Sequence, residues 1–283
     1  MAKTSLTRKA FLQLAAAAGA SAAHAQGVRS TRTDKRLNVL LITTDQEQPW
    51  SRIPGKLGLR HHERMLERSV HFTNWHTNTS PCTPARSVLY TGQHLQHTKV
   101  VDNPGIPPWP NSMSTSIPTL GTYFKEAGYH TVYKGKWHLS AIQADAQKNF
   151  QRGLQPYGFD DYQAGPEAVG LAWDGYDHDP EIAADAVRWL ATEGKNADQP
   201  WLMTVNFLNP HDIMFFDATG KMNETRLPMN GSRSPLKPRP TTKPYGTGKQ
   251  LDLPQNFSLD RTGELECHRV FRIDNEMFLG AIA

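Results

Sequence analysis

A short apolar run, Asn38-Val39-Leu40-Leu41-Ile42-Thr43, constrains the fold of this chain more than any other stretch. It is β-rich and has no polar alternation, the pattern of a strand buried on both faces of a parallel sheet. Parallel strands need crossover connections, and the chain supplies them. Pro118 to Ala127 reads as a helix stopped at Gly128, with Leu120, Tyr123, Phe124 and Ala127 on its apolar face. Tyr129 to Tyr133 reads as the next strand. Asp179-Pro180 can cap and start a further helix, with Ile182, Ala183, Ala186, Val187 and Leu190 inward and Gly194 past its end. Trp201 to Phe207 follows as the third strand. Strands alternating with helices imply right-handed βαβ units, so the fold class is α/β, a mostly parallel sheet flanked by helices. At 283 residues and 38% hydrophobic, the chain suffices for one large domain of that kind or two small ones.

Such sheets bind ligands beyond the carboxyl ends of their strands. Asp45, Lys136, His138 and His211 all fall just after expected strands, and their agreement weighs more than any one of them. Two stretches without period, Ser140 to Trp173 and Asp212 to Leu253, read as lids or substrate-binding segments. Glu264 to Ala283 has Leu265, Val270, Ile273, Met277 and Phe278 at mostly helical spacing and reads as a last helix.

The sharpest chemical signal is Ser80-Pro81-Cys82-Thr83-Pro84-Ala85-Arg86. Pro84 suits the first position of a helix, because its missing N–H would have no partner there. Ala85 to Thr91 then forms a short helix stopped by Gly92. Cys82 would lie at the positive end of that helix, with Arg86 one turn on and facing the same way, an anion site beside a reactive side chain. A lone cysteine at a helix start is more often structural. A phosphatase loop pairing Cys with Arg needs a longer gap than this one.

Composition narrows the setting. Lys3, Arg8 and Lys9 supply three of the four net positive charges, which leaves the rest of the chain nearly neutral and gives no support to nucleic-acid binding. Those charges belong to a leader: Thr7-Arg8-Lys9-Ala10-Phe11-Leu12, an apolar small-residue run from Leu14 to Ala23, then Ala23-His24-Ala25 before Gln26. The pattern is a secretory signal with an A-x-A cleavage site, similar to a twin-arginine signal with Lys9 in the second position. Expected divisions are a signal over 1–25, a linker over 26–36 and the N-terminal part of a catalytic domain over 37–283. Periplasmic or secreted placement follows, with no stable membrane insertion after signal removal. Only Cys82 and Cys267 occur, too few for a disulfide framework, and no disulfide is expected.

Cys-x-Pro-x-Arg with Ser87-Val88-Leu89-Tyr90-Thr91-Gly92 resembles the sulfatase signature, in which a maturation enzyme converts the cysteine to formylglycine. Two further stretches extend the likeness. Asn38 to Gln46 resembles the first sulfatase strand, and Gly128-Tyr129-His130-Thr131-Val132-Tyr133-Lys134-Gly135-Lys136-Trp137-His138-Leu139 the family's second motif. Pro210-His211-Asp212, Leu253 to Phe257 and Ile273 to Gly280 look familial as well.

The resemblance implies an alkaline-phosphatase-like fold and hydrolysis of a small-molecule or carbohydrate sulfate ester. It assigns the nucleophile to Cys82, charge stabilisation to Arg86 and Lys136, and proton handling to His138 and His211. A divalent cation, Ca²⁺ by chemistry, would take Asp45, Gln46 and the oxygens at position 82. Gln46 stands where many members carry a second aspartate. Family members continue into an Asp-Asn or Asp-His pair and a later lysine, so the resemblance covers the N-terminal portion only. The alternatives it leaves are a phosphonate or phosphate monoester hydrolase of the same superfamily, or an inactive truncated remnant.

Overall fold

The computed structural model describes residues 36–53, 57–104, 112–163, 165–217 and 261–279, with positions 222 and 238. The leader through residue 35, nearly all of the proline-rich stretch after 217, and the 253–257 segment lie outside the described residues. The unit that begins at Leu37 carries the sheet.

Its strands are β1 (Val39–Asp45), β2 (His130–Gly135) and β3 (Trp201–Pro210). They form a parallel sheet in the order β1-β3-β2, the last strand in sequence lying between the other two. Val39 pairs with Leu202 and Thr43 with Asn206 on one side of β3, while Thr131 pairs with Leu202 and Gly135 with Asn206 on the other. Each strand runs two or three residues further than its apolar pattern, because the ladder continues into the polar ends. The helices are α1 (Arg60–Leu66), α2 (Cys82–Thr91), α3 (Leu95–Thr98), α4 (Leu120–Glu126), α5 (Asp174–Thr192) and α6 (Glu266–Leu279).

Side chains alternate across the sheet, so β2 and β3 feed two separate cores. Tyr133 and Leu202 join Tyr90, Trp137, Tyr157, Phe159 and Tyr162 on one face. There Trp137 lies 5.4 Å from Tyr90, 5.3 Å from Tyr133 and 5.0 Å from Tyr157, ring centre to ring centre. Val132, Trp201, Met203 and Val205 meet Ile182, Ala186 and Trp189 of α5 on the other. A fully buried side chain of this size contributes on the order of 2 kcal/mol, so both faces of β2 and β3 are fixed.

β1 departs from expectation. It alternates half-buried with exposed, and Leu40 and Ile42 keep 44% and 48% of their surface accessible. It is an edge strand of the described sheet, and the described helices pack on β2 and β3 instead.

Three helix expectations also change. The Cys82 helix starts at Cys82 itself, three residues early, which puts Pro84 third. The cost is nil, since the first four N–H groups of a helix lack intrahelical partners in any case. Gly92 closes it in the left-handed region, at φ 67°. Pro118 lies before α4, which begins at Leu120 with Thr119 and Thr122 forming a reciprocal cap. α5 begins at Asp174 and carries Pro180 inside it. Asp179 does not cap it; its carboxylate accepts from the backbone N–H of Leu208 at 2.7 Å and of Asn209 at 3.0 Å, fastening α5 to the end of β3. Tyr123 and Val187, expected inward, are 50% and 64% exposed, and Val270 and Leu265 also face outward.

Candidate active site

Because the strands are parallel, their carboxyl ends share one edge of the sheet, and the N-terminus of α2 meets them there. Cys82 Sγ donates to Asp45 Oδ1 at 3.8 Å. Lys136 Nζ lies 2.6 Å from Asp45 Oδ2 as a buried ion pair. His211, in the short helical turn after β3, interacts with the Cys82 sulfur and sets its Nδ1 3.1 Å from Asp212 Oδ1. The structure therefore brings Asp45, Cys82, Lys136 and His211 together, with His138 close enough to feel the charges of Asp45, Lys136 and His211.

The charges act in a consistent direction. Burial would push the Asp45 carboxyl up, but the Lys136 ammonium outweighs it, helped by Arg86 and His211, and holds it below the usual carboxylate range. His138 is driven down to about 3, first by burial and then by Lys136 and Arg86, so its imidazole is neutral. Its Nδ1 is buried without a hydrogen-bond partner. His211 goes the other way: burial opposes its charge, but Asp212 and Cys82 raise it to about 9. Two imidazoles at the same edge of the sheet are held in opposite protonation states, an arrangement able to divide acid from base work.

Arg86 is buried and directs its guanidinium at the backbone of the β2 loop. Nε donates to the Trp137 carbonyl at 2.9 Å, and Nη2 to the Lys136 carbonyl and the Tyr133 hydroxyl. Thr83 Oγ1, beside Cys82, donates to the His138 carbonyl at 2.8 Å. The signature helix thus fixes the loop that carries Lys136 and His138.

Sequence reasoning passed over three participants. Asn206 sits where β3 meets both neighbours: its Oδ1 accepts from Thr43 at 2.7 Å and Tyr90 at 2.6 Å, and its carbonyl from the Lys136 N–H at 3.1 Å. A Cβ on Gly135 would stand 2.1 Å from that carbonyl, and Gly135 has φ 87°, so only glycine lets the loop leave β2 there. A polar residue in the middle of an apolar strand was the available signal for Asn206. Glu167 accepts from the Trp137 and His138 N–H groups, both at 2.6 Å, and burial raises its carboxyl to about 7 despite those bonds. No sequence signal marked it. Asp212 stood inside a quoted motif, but its role as partner of His211 was not read.

A hard cation needs roughly six to eight oxygens. Here Asp45 has its oxygens turned to Cys82 and Lys136, while Gln46 is exposed at φ 63°. Among the described residues no three of His, Cys, Asp and Glu form a group that could hold a metal ion. Asp45, Gln46 and Cys82 by themselves do not fit such a cation. Cys82 and Cys267 are free thiols. Among the described residues no helix is long and apolar enough to cross a membrane.

The Sulfatase family model matches residues 38–250. Over 209 residues the chain is 29% identical to an uncharacterized sulfatase, YidJ, of Escherichia coli (strain K12), an alignment that covers 62% of this chain and 39% of the relative. It is 28% identical to a choline-sulfatase of Rhizobium meliloti (strain 1021), covering 64% and 39%. Among solved structures, BT1596, a 2-O GAG sulfatase, superposes with a TM-score of 0.51 at 25% identity over 81% of this chain and 43% of that one. The aligned part thus spans about 39% of the two curated relatives' length.

Proposed function

The chain belongs to the sulfatase family, and from that premise we propose that it hydrolyses an organic sulfate ester at the strand ends, with position 82 as nucleophile. The observation that carries this reading is the gathering of Asp45, Cys82, Lys136 and His211 at the strand ends, with His211 held protonated beside the Cys82 sulfur and a neutral His138 nearby.

The reading includes conversion of Cys82 to formylglycine by a maturation enzyme. The hydrated aldehyde supplies two hydroxyls, one to attack sulfur and one to collapse and release sulfate, which a serine could not do without water attack at sulfur. His138, with an open Nδ1, takes the proton of the attacking hydroxyl. His211, kept protonated by Asp212, gives a proton to the departing alcohol oxygen. Lys136 and Arg86 put buried positive charge where the transferring group gains negative charge, and their fixed positions leave little to reorganise. A divalent cation, Ca²⁺ by the resemblance, would need oxygen donors beyond Asp45 and Gln46, and no step above runs through one.

The substrate is a small-molecule or carbohydrate sulfate ester. Relatives carry both names, one a choline-sulfatase and another an ulvan-active sulfatase of Formosa agariphila. The leader supports export to the periplasm or beyond.

The test is to express the whole chain with a maturation enzyme, follow sulfate release from choline, aryl and carbohydrate sulfates, and offer a phosphonate monoester alongside. Sulfate release that disappears in Cys82→Ala is the expected result. Turnover of the phosphonate ester alone would replace this reading with its neighbour in the superfamily.

A further inference from the structure

The segment from Tyr162 to Gly175 has no periodic pattern, yet it touches both histidine loops. Tyr162 donates its hydroxyl to the Gly135 carbonyl at 3.1 Å, and Gln163 Oε1 accepts from the Gly135 N–H at 3.1 Å. Further along, Gly170 passes so close to the β3 turn that a Cβ would meet His211 Nδ1 at 2.8 Å and Asp212 Oδ1 at 2.9 Å. Between these contacts stands Glu167, which plays no part in the chemistry described so far.

Glu167 and Arg86 hold the same two peptide units from opposite ends. In the unit joining Lys136 to Trp137, Arg86 takes the carbonyl and Glu167 the N–H. In the unit joining Trp137 to His138, Arg86 again takes the carbonyl, at 2.9 Å, and Glu167 the N–H, at 2.6 Å. Two consecutive N–H groups converge on one oxygen, Oε1, a concavity of the kind that binds anions. His138 leaves that concavity at φ 54°, a conformation that costs a residue with a Cβ about 1–3 kcal/mol and persists only where its surroundings impose it.

We propose that Glu167 is a positioning residue for His138: its carboxylate holds the 137–138 backbone in the turn that sets the imidazole beside Asp45, Lys136 and His211. This rests on the hydrolase reading, since it assigns Glu167 a share in His138's proton transfer. Because the acceptor is one oxygen, an amide oxygen in the same place can do the same work, whereas a methyl group cannot.

The test compares Glu167→Gln, Glu167→Ala and Glu167→Asp in the whole, matured chain, reading sulfate ester kinetics and, separately, the His138 ring titration by NMR. Glu167→Gln is expected to keep kcat within about threefold of the parent, while Glu167→Ala lowers kcat roughly 10–100-fold with KM little changed, the usual loss for an orienting partner. In Glu167→Ala the His138 ring, freed from its buried place, is expected to titrate well above about 3 and closer to an ordinary imidazole. Should Glu167→Ala fail to fold, Glu167→Asp, with the same charge on a shorter arm, is expected to lose part of kcat. An unchanged His138 titration in a folded Glu167→Ala overturns the proposal, as does a Gln variant no better than the Ala variant, or an Asp variant equal to the parent where Ala does not fold. If the parent releases no sulfate, the hydrolase reading fails by itself, and the His138 titration still reports on Glu167.

Discussion

The loop after β2 and the turn after β3 each bring a histidine to the strand ends where Cys82 lies, and they restrain it by different means. His138 is held through its backbone: Glu167 takes its N–H, Thr83 its carbonyl, and Arg86 the peptide before it, while Nδ1 has no partner. His211 is held through its ring, by Asp212, whose other oxygen accepts the Gly175 N–H. The first arrangement buries an imidazole beside positive charge and keeps it neutral; the second gives it a carboxylate and keeps it charged. One residue type thus rests neutral or charged according to whether a polar partner meets its backbone or its ring.

The largest expected effect comes from removing the proposed acid. His211→Ala should lower kcat/KM for sulfate esters by roughly 10²–10⁴-fold, read from sulfate release, and least for substrates whose alcohol leaves easily. An equal loss across good and poor leaving groups would break the contrast by denying His211 the acid role. Arg86→Ala attacks the other side, stranding the Lys136 and Trp137 carbonyls in the interior. We expect it to cost about 3–5 kcal/mol of stability in urea unfolding, because several hydrogen bonds to a buried charge are lost, whereas His211→Ala should cost less, through the bond to Asp212.

Asp212→Asn sharpens the comparison through pH. His211 is protonated below about 9, so the parent's rate should hold through neutrality and fall as pH rises through that value. With the carboxylate gone the fall should move to lower pH, at a cost of roughly 10-fold in rate at pH 8. An unmoved alkaline limb would assign it to some group other than His211. The smallest effect belongs to the shared scaffold. Tyr90→Phe removes the 2.6 Å bond to Asn206 and should cost about 1 kcal/mol, with the pH profile untouched.

What the sequence revealed divides along similar lines. Asp45, Lys136, His138 and His211 were legible because each follows an apolar strand, and a strand end is a local signal. Cys82 and Arg86 were legible through their spacing, although the spacing showed Arg86 as an anion binder and not its grip on the β2 loop. Asn206 and Glu167 were hidden, since what they do depends on partners far along the chain: Asn206 bonds Thr43 across 163 positions. The same cause misplaced the start of α5. Asp179-Pro180 has the local form of a helix cap, but Asp179 finds two donors at the end of β3 and the helix runs through. The exposed face of β1 could not be read from its composition, because Leu40 and Ile42 look the same in an edge strand as in a central one.

The strand order carries a consequence for how the molecule comes into being. β1 and β2 never pair with each other; β3, the last of the three to leave the ribosome, is the partner of both. Until then two β-rich segments wait with open ladders, and the contacts that close the sheet span most of the chain. Such distant closures are slow, and the waiting strands are prone to meet copies of themselves. Yield from the cell should accordingly depend less on the resting stability of the finished protein than on how quickly Trp201–Pro210 is delivered between its neighbours.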